Sequence, residues 1–454
     1  MGISVAPGSM TAEEIVSLSR QYTLYEWSAQ GAVDPIAVDR AEGVYFYSPG
    51  GTRYLDFNSQ LMSVNIGHGD RRVTSAIARQ AEKLAYANPF MAHEPRARLG
   101  QKLAEVTPGD IDVFFFTNGG AEANENAIKL ARQLTGRHKI LARYRSYHGA
   151  TGQVITATGD PRRWPWEPFL MPGVVHFFDP YRYRSALHHG RADVSEEQFT
   201  RDYLAHLEDV IQLEGPETIA AILLETVTGT NGVIVPPQGY LPGVRDLCDR
   251  YVILLICDDV MSGFGRTGAW FAVDHWGVVP DMITMAKGLT SSYLPLGAVG
   301  MRRSIAEGFR DRVFYGGLTY NSHPMGCAAA LATIAVYEED GLIEHARAMG
   351  EIMAGHHADL MARHPSVGAV RSIGLFGMID VVRSRSPFEP MAPYNGTSDE
   401  MKAIAKYLRD HGLYTFLRWN GIHTNPPLII TEEQLAEGFA IIDGALSIAD
   451  QSVR

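Results

Sequence analysis

The chain has 454 residues, of which 46% are hydrophobic and 20% charged, and its formal net charge is −11 at pH 7. This composition is that of an ordinary globular protein and excludes a disordered or fibrous chain. The acidic balance argues against a broad nucleic-acid-binding face, which needs clustered Lys and Arg, and against attachment to an anionic membrane surface.

The N-terminus, MGISVAPGSMTAEE, has no basic region followed by an apolar core, so it lacks the pattern of a secretory signal. No window approaches the ~20 apolar residues of a membrane-spanning helix. The cysteines Cys248, Cys257 and Cys327 show no metal-binding spacing, and Cys257 lies in the apolar run VILLIC, as a buried thiol would. We expect a soluble cytoplasmic protein without a metal site or a disulfide framework.

The first predicted elements are a helix and a hairpin. Thr11 and Glu14 form a capping-box pair, which predicts a helix near residues 11–22. Two aromatic-rich runs flank the Pro-Gly-Gly turn at 49–51 in VYFYSPGGTRYLDF, and this pattern predicts a β-hairpin.

From about residue 75 to 330, short apolar runs alternate with helix-like segments. The runs are VFFFT (113–117), VVHFF (174–178), AAILLE (220–225), VILLIC (252–257) and MITMA (282–286). Continuous apolar runs are typical of strands that helices cover on both faces. They predict an α/β fold with an open, mostly parallel central sheet.

Towards the C-terminus, helices and short strands are mixed. The last helix is marked by a capping box of Thr431 and Gln434 and by an apolar stripe of Leu435, Phe439, Ile442 and Leu446. We therefore predict a large domain over residues 75–334 and a smaller α+β domain built from residues 1–74 and 335–454.

The segment TNGGAEANENAIKLARQLTG (117–136) predicts a strand, a glycine-containing turn and a helix that stops at Gly136. The apolar stripe of this helix consists of Ala127, Leu130, Ala131 and Leu134. Glycines at a helix N-terminus leave backbone N–H groups free to bind an anion such as phosphate. Taken alone, the pattern also fits a simple tight turn between a strand and a helix.

Two predicted strands end in carboxylates, at the edge where ligands of open α/β sheets collect. Glu225 ends AAILLE, and Asp258 and Asp259 follow VILLIC. A G-x-G-x-x-G match at 263–268 raises a dinucleotide site, but its continuation AWFAVDHWGVVPD has no helical period. These residues alone leave a nicotinamide or flavin site and a solvated strand end open.

Lys287 is the one formally charged residue in MITMAKGLTSSYLPLGAVGM (282–301). A desolvated lysine has a lowered pKa and is a good nucleophile toward carbonyl groups, whereas a surface lysine at a strand end is the alternative. A phosphate cradle, a strand-end aspartate and a desolvated lysine are together what pyridoxal 5′-phosphate needs: an anchor, a partner for its ring nitrogen and an amine for its aldehyde.

In its most specific motifs the chain resembles the class III aminotransferases, which are fold-type I pyridoxal-phosphate enzymes. These motifs are LLICDDVMSGFGRTG (254–268) followed by PDMITMAKG (280–288), SYHGAT (146–151) and LTYNSHP (318–324). The similarity runs from FNSQLMSVNIGHGD (57–70) to the final helix, and it identifies the G-x-G-x-x-G match as incidental.

The resemblance implies a role for each matching position. Lys287 would form the Schiff base with the cofactor and move the proton, and Asp258 would pair with the pyridine nitrogen. Thr319 would reach the phosphate of a neighbouring subunit, which implies a homodimer or a pair of dimers. The other cofactor positions are Tyr147 and Val260 on the ring faces, His148 beside Tyr147, Glu225 on the hydroxyl side, and Gly119, Gly120 and Ala121 at the phosphate.

The chain departs from the family pattern at the phosphate loop and the substrate pocket. Many relatives have serine in place of Gly119 and Ala121, so phosphate binding must rely more on backbone N–H groups, the helix dipole and Thr319. The segment GLYTFLRWNGIHTNPPLIIT (412–431) is similar to the branch of taurine:pyruvate aminotransferases, and it makes Arg418 the candidate for the acceptor carboxylate. The candidate pocket-wall residues are Trp27, Leu61, Met62, Phe90 and Met91.

The resemblance thus implies a ping-pong aminotransferase. An ω-amino acid, a taurine-like compound or an amine would leave its nitrogen on the cofactor, and a 2-oxo acid, first of all pyruvate, would collect it. The nearer alternative is a racemase, aminomutase or decarboxylase on the same scaffold, which would share every cofactor residue. A nucleotide-binding or non-catalytic protein is the more distant one.

Overall fold

A computed structural model of the chain describes residues 10–189, 191 and 193–454. Most of the N-terminal stretch that lacks a secretory pattern therefore lies outside the described residues. In the described part of the chain, no helix combines the length and the apolar character that crossing a bilayer requires.

The described residues form three sheets, with helices around them. The strands are β1 (Arg40–Glu42), β2 (Tyr45–Tyr47), β3 (Arg53–Asp56), β4 (Ile111–Thr117), β5 (Lys139–Arg143), β6 (Val174–Phe177), β7 (Ile219–Glu225), β8 (Leu254–Asp258), β9 (Met282–Met285), β10 (Gly297–Arg302), β11 (Val367–Ile373), β12 (Phe376–Arg385), β13 (Phe388–Pro390), β14 (Leu413–Tyr414), β15 (Leu417–Arg418) and β16 (Gly421–Thr424). The α-helices are α1 (Ala12–Tyr22), α2 (Ser59–Met62), α3 (Arg71–Lys83), α4 (Glu94–Val106), α5 (Gly120–Thr135), α6 (Gly152–Ala157), α7 (Glu196–Glu214), α8 (Tyr240–Tyr251), α9 (Arg303–Glu307), α10 (Pro324–Glu339), α11 (Leu342–Arg363), α12 (Asp399–Asp410) and α13 (Glu432–Asp450).

The large sheet has seven strands in the order β4-β10-β9-β8-β7-β5-β6. The strands β9, β8, β7, β5 and β6 pair in parallel, and β10 is antiparallel to both of its neighbours. All five predicted apolar runs form strands of this sheet, so the predicted α/β architecture is confirmed.

Helices cover both faces of the large sheet, which explains why its strands are continuously apolar. Along β7, Ile222 and Leu224 belong to the hydrophobic cluster that includes α7 and α8. Leu223, between them, points into the second cluster, which includes α5 and α6. Every residue of β7 is buried, as expected for a strand between two helical layers.

The local capping and turn predictions are confirmed. Helix α1 begins after Thr11, whose hydroxyl accepts from the Glu14 N–H at 3.2 Å while the Glu14 carboxylate accepts from the Thr11 N–H at 2.8 Å. Thr431 and Gln434 form the same box at the start of α13. Strands β2 and β3 pair antiparallel as the predicted hairpin, and α5 ends at Gly136 with φ 69°.

The two smaller sheets join distant parts of the chain. In the sheet β1-β2-β3-β14, the strand β14 from the C-terminal part pairs in parallel with β3, with Leu413 opposite Leu55. The other sheet has the order β11-β12-β16-β15, with β13 on β12. The domain boundaries after residues 74 and 334 stay predictions.

Strand β10 fixes the edge of the large sheet at which the site lies. Its first residue, Gly297, pairs with Thr117 at the end of β4, and a Cβ on Gly297 would lie 2.6 Å from the Thr117 hydroxyl. Only glycine allows this approach. Because β10 is antiparallel to both neighbours, the carboxyl ends of β4, β9, β8 and β7 meet at one edge of the sheet.

Candidate active site

A cavity of about 330 Å³ lies beyond the carboxyl ends of these strands. Its lining includes every predicted cofactor residue except Thr319, namely Gly119, Gly120, Ala121, Tyr147, His148, Glu225, Asp258, Val260 and Lys287. These residues come from five separate segments of the chain, and the parallel sheet brings them together.

The phosphate loop leaves the N-terminus of α5 open to the cavity. The Glu122 carboxylate accepts from the backbone and side-chain N–H groups of Asn118, at 2.8 and 2.9 Å, and no side chain within the described ranges caps the helix at Gly119. A Cβ on Gly120 would lie 2.8 Å from Val260 Cγ1, so this position requires glycine. The first N–H groups of the helix and its dipole therefore offer an anion site without side-chain hydroxyls.

Asp258 is held by three donors at the end of β8. Its Oδ2 accepts from Asn124 Nδ2 and from His148 Nδ1, each at 2.7 Å, and its Oδ1 accepts from the Val260 N–H at 3.1 Å. Thr284 in turn donates its hydroxyl to Asn124 Oδ1 at 2.7 Å. This network fixes the carboxylate in the cavity wall.

Asn124 and Thr284 were not among the predicted site residues, although each carries a sequence signal. Asn124 precedes Ala127 by three residues and Ala131 by seven, so it lies on the apolar stripe of the helix. Thr284 is the polar residue at the centre of the buried run MITMA. Polar residues on a buried face need a hydrogen-bond partner. Here Thr284 and Asn124 are partners of each other, and Asn124 donates to Asp258.

Glu225 ends β7 directly beside Asp258 in the sheet register. Its carboxylate accepts from the Tyr147 N–H at 3.0 Å and from the Gly229 N–H at 2.7 Å. Burial raises the pKa of Glu225, and Arg143, itself fully buried, donates to the Glu225 carbonyl. The carboxylate therefore positions the loop that carries Tyr147.

Lys287 follows β9 with a φ of 43°, in the left-handed region that lysine seldom adopts. This conformation turns the chain directly after the strand, and the lysine joins the cavity lining. Burial lowers the pKa of Lys287 to about 8, against the opposing charges of Asp258 and Glu225. More of this amine is therefore unprotonated near neutral pH than of a lysine in water, and the unprotonated form is the nucleophile.

Arg418, the predicted carboxylate ligand, lies in a cluster with a second arginine that the sequence did not reveal. Arg162 stacks its guanidinium 3.6 Å from the ring centroid of Tyr147 and lies 5.4 Å from that of Trp27. Asp160 Oδ2 accepts from Arg162 Nε at 2.9 Å and from Arg418 Nη2 at 3.0 Å. The cluster brings Arg418 and Trp27 close to a residue of the cavity wall.

The remaining predicted residues lie outside the cavity in the single chain. Leu61 is half-exposed, Phe90 is 99% exposed and Met91 is 56% exposed, whereas Met62 is 1% exposed and packs in the core. Thr319 is exposed and accepts on its carbonyl from the Tyr86 hydroxyl at 2.8 Å. The predicted roles of all five residues stay predictions.

Comparison with known proteins identifies the family. Residues 27–446 match the class-III aminotransferases. The taurine–pyruvate aminotransferase of Bilophila wadsworthia is 34% identical, over 96% of this chain and 98% of that protein. The putrescine–pyruvate aminotransferase of Pseudomonas aeruginosa is 32% identical, over 88% of each chain.

Solved structures agree with this result. The taurine:2-oxoglutarate aminotransferase of Bifidobacterium kashiwanohense, in complex with PLP and glutamate, is 42% identical with a TM-score of 0.95, over 98% of this chain and 100% of that one. The (S)-enantioselective ω-transaminase of Thermomicrobium roseum is 38% identical with a TM-score of 0.92, over 97% and 100%. The chain belongs to the class-III aminotransferases, whose cofactor is pyridoxal 5′-phosphate and which transfer an amino group to a 2-oxo acid.

The cavity fits this cofactor. It offers an open helix N-terminus for the phosphate, a fixed carboxylate for the ring nitrogen and a buried amine for the aldehyde. In addition, His148 Nε2 is buried and has no hydrogen-bond partner among the described residues. This nitrogen can therefore accept a hydrogen bond from a bound group.

Proposed function

We propose that this aminotransferase takes nitrogen from an ω-amino acid, a taurine-like compound or an amine and delivers it to pyruvate in a ping-pong cycle. The observation that carries the proposal is the buried amine of Lys287 in one cavity with the fixed carboxylate of Asp258. The named relatives that act on taurine and putrescine with pyruvate support the substrate classes.

When bound, pyridoxal phosphate supplies an electrophilic carbon and a ring that accepts electrons from the substrate carbon. Lys287 Nζ would be the amine available to this carbon and the base that moves a proton at the substrate. Asp258 would pair with the ring nitrogen. Tyr147 and Val260 would cover the two faces of the ring, and Glu225 holds the Tyr147 backbone in position.

The phosphate end is bound without serine hydroxyls. The N–H groups of Gly120 and Ala121 at the start of α5 would receive the phosphate, and the dipole of this 16-residue helix would add to the attraction. Gly119 is extended, with φ −178°, and directs the turn toward the cavity. Arg418 receives the carboxylate of the 2-oxo acid through its guanidinium fork.

We further propose a homodimer in which Thr319 completes the phosphate site of the partner subunit. Phe90, Tyr315 and Tyr320 are 99%, 77% and 60% exposed, an unusual set of uncovered aromatic side chains. Asn118 lines both the cofactor cavity and the adjoining pocket of Tyr320, so this surface begins at the phosphate end of the site.

Light scattering of the active holoenzyme tests the dimer. The expected mass is twice the 49.9 kDa of the chain, and Thr319→Val should weaken phosphate retention and so lower the affinity of the apoenzyme for pyridoxal phosphate. A holoenzyme that turns over substrate at the mass of one chain would contradict the shared site.

Lys287→Ala tests the reaction. The variant should lose at least about 10³-fold in the rate of alanine formation from taurine or β-alanine with pyruvate, because it removes both the covalent attachment and the base. Lys129→Ala, in helix α5 and outside the cavity lining, is the matched control. Turnover of Lys287→Ala at the wild-type rate would refute the assignment.

The same assay separates the rival acceptors and reactions. Replacing pyruvate by 2-oxoglutarate, the acceptor in the name of the relative from Bifidobacterium kashiwanohense, gives glutamate instead of alanine. A racemase, aminomutase or decarboxylase would consume or convert the amino compound without forming either amino acid.

A further inference from the structure

A second cavity lies apart from the active site, between the segment that follows β6 and the C-terminal sheet. Its volume is about 1030 Å³. Its walls include residues 180–185 and 234–235, residues 369–372 of β11, and the β12–β13 hairpin at Arg385 and Phe388. Among the described residues, the linings of the two cavities have no member in common. A ligand in the second cavity therefore does not compete with the cofactor for its contacts.

The lining of this cavity is cationic, although the net charge of the chain is −11. No Asp or Glu lines it within the described ranges, whereas five arginines do, namely Arg182, Arg184, Arg191, Arg371 and Arg385. Arg182 lies 3.4 Å from the Glu196 carboxylate. Arg191 lies 2.8 Å from the carboxylate of Asp193. Each of these two arginines thus has an acid of its own, and the other three carry the charge that a ligand meets.

The other three arginines have one carboxylate between them. Asp380 is buried, and its Oδ2 accepts from Arg371 Nη1 at 2.6 Å, while Arg184 Nη2 lies 3.8 Å from its Oδ1. Arg385 donates to three backbone carbonyls and forms no ion pair with a described residue. Three cations and one anion leave a surplus of two positive charges. This surplus matches a phosphate monoester, which carries a charge of about −1.5 to −2 at pH 7.

Three polar atoms of the lining are buried and have no hydrogen-bond partner among the described residues. They are Arg371 Nη2, Arg184 Nε and the Tyr183 hydroxyl. Burial raises the pKa of Tyr183, so this hydroxyl keeps its proton at neutral pH and can donate. Buried donors without an acceptor are unfavourable, and the oxygens of a phosphate are acceptors that suit the fork of a guanidinium.

The rest of the wall is aromatic and aliphatic. Phe388 is 42% exposed and packs edge-on against Tyr183, with ring centroids 5.5 Å apart. The Arg184 guanidinium lies 4.5 Å from the Phe388 ring centroid, and Val235 and Val370 add aliphatic surface. The cavity is far larger than a phosphate ion requires. It is therefore suited to a phosphate that is attached to an aromatic group.

We propose that this cavity binds a small organic phosphate with an aromatic ring, the chemistry of a nucleoside monophosphate. Arg184, Arg371 and Arg385 bind the phosphate, and Phe388 stacks on the ring. The ligand joins the segment after β6 to the C-terminal sheet, so it stabilises the folded protein as its concentration rises. This site is separate from the amino-transfer reaction and does not depend on the proposed donor or acceptor.

Calorimetry with adenosine 5′-monophosphate (AMP) tests the site on the holoenzyme, in which the cofactor fills the active site. We expect Arg184→Gln to weaken AMP binding by about 10- to 100-fold, the loss for hydrogen bonds to a charged group. Arg371→Lys keeps a positive charge beside Asp380 and loses the planar fork, so it should weaken AMP binding by about tenfold.

Arg201→Gln is the matched control. Arg201 lies in α7, outside the cavity lining, and donates to Gln198 at 2.7 Å. This variant changes the net charge as Arg184→Gln does and should bind AMP like the wild type. Thermal unfolding reports whether each variant is folded. AMP should raise the Tm of the wild type and of Arg201→Gln, and raise that of Arg184→Gln less.

Two fragments of AMP test the ligand class. Inorganic phosphate lacks the ring and adenosine lacks the phosphate, so each should bind at least about tenfold more weakly than AMP. Inorganic phosphate that binds as tightly as AMP would show an anion site without a place for the ring, and adenosine that binds as tightly would show that the arginines bind nothing. Either result would overturn the ligand class.

Other outcomes would overturn the site itself. One is a wild-type holoenzyme that does not bind AMP. Another is AMP binding that Arg184→Gln and Arg371→Lys both leave unchanged, because the nucleotide would then lie elsewhere. Release of the cofactor by AMP, seen as loss of its visible absorption from the protein, would place the nucleotide in the active site and contradict the proposal.

Discussion

Asn124 determines how Asp258 is presented to the cavity, which Asn124 also lines. Its amide donates to the carboxylate and to the His148 carbonyl, at 2.7 and 2.9 Å, and accepts from Thr284. All of these groups are buried. A single side chain therefore orients two residues that belong to different segments.

Asn124→Ala should both destabilise the protein and loosen the cofactor site. Removal of the amide leaves the Thr284 hydroxyl and the His148 carbonyl unsatisfied, which costs about 1–3 kcal/mol each. With Asp258 less constrained, we expect the affinity of the apoenzyme for pyridoxal phosphate to fall about tenfold, measured by absorbance titration.

Asn126→Ala separates the two effects of the Asn124 substitution. Asn126 lies in the same helix and is equally buried. Its amide donates to the Glu122 carbonyl at 2.8 Å and not to the Asp258 carboxylate. It should lower thermal stability while leaving the cofactor affinity unchanged. Equal affinities in the two variants would show that Asn124 has no positioning role.

At the same scale, site residues within a family motif could be predicted from the sequence. Residues whose role depends only on their spatial neighbours could not. Local sequence patterns indicate the chemistry of Lys287, Asp258 and the glycines of the phosphate loop. Arg162 stands in PRRW, where nothing distinguishes it from Arg163. Only the fold brings Asp160, Tyr147 and Arg418 around one of them.

At the scale of elements, the strands that could be predicted are those with a continuously apolar sequence. The five strands predicted from the sequence are continuous apolar runs, and β7 among them is buried along its whole length. Strand β5 (KILAR) begins and ends with a charged residue, and β10 (GAVGMR) carries two glycines. Gly297 is needed for the approach to β4, so a tertiary contact outweighed local propensity there.

Helix α5 illustrates the opposite case, in which local rules suffice. Its glycine-containing start, its apolar stripe and its stop at Gly136 follow from sequence alone. The requirement for glycine at position 120 does not, because the obstructing atom belongs to Val260 after a different strand. Local sequence rules thus predict the helix, whereas tertiary packing determines that its first residue is glycine.

At the scale of the whole molecule, the incidental G-x-G-x-x-G segment joins the N-terminal, central and C-terminal parts. Arg266 within it is fully buried and donates to the Leu375 and Pro426 carbonyls, at 2.9 and 2.6 Å. It also donates to Ser59 Oγ and Asn65 Oδ1, at 2.9 and 3.0 Å. Burial lowers the pKa of Arg266 to about 10, so the guanidinium is charged at neutral pH.

Arg266→Met should therefore affect both stability and the site. Four buried acceptors lose their donor, and we expect a loss of at least about 3 kcal/mol, seen as a fall in Tm of several degrees. Because the charge of Arg266 also contributes to the lowered pKa of Lys287, after burial, its removal should raise that pKa. A pH titration of cofactor uptake by the apoenzyme should then shift to higher pH.

Arg250→Met is the control for the loss of a guanidinium. Arg250 is exposed and pairs with Glu208 at 2.8 Å, and surface pairs contribute about 0–1 kcal/mol. It should leave Tm nearly unchanged and the uptake profile at its wild-type pH. The same Tm and the same uptake profile in Arg266→Met and Arg250→Met would show that the contacts of Arg266 do not hold the three parts together. The segment would then contribute only its turn, in which Gly265 and Gly268 have φ of +84° and +81°.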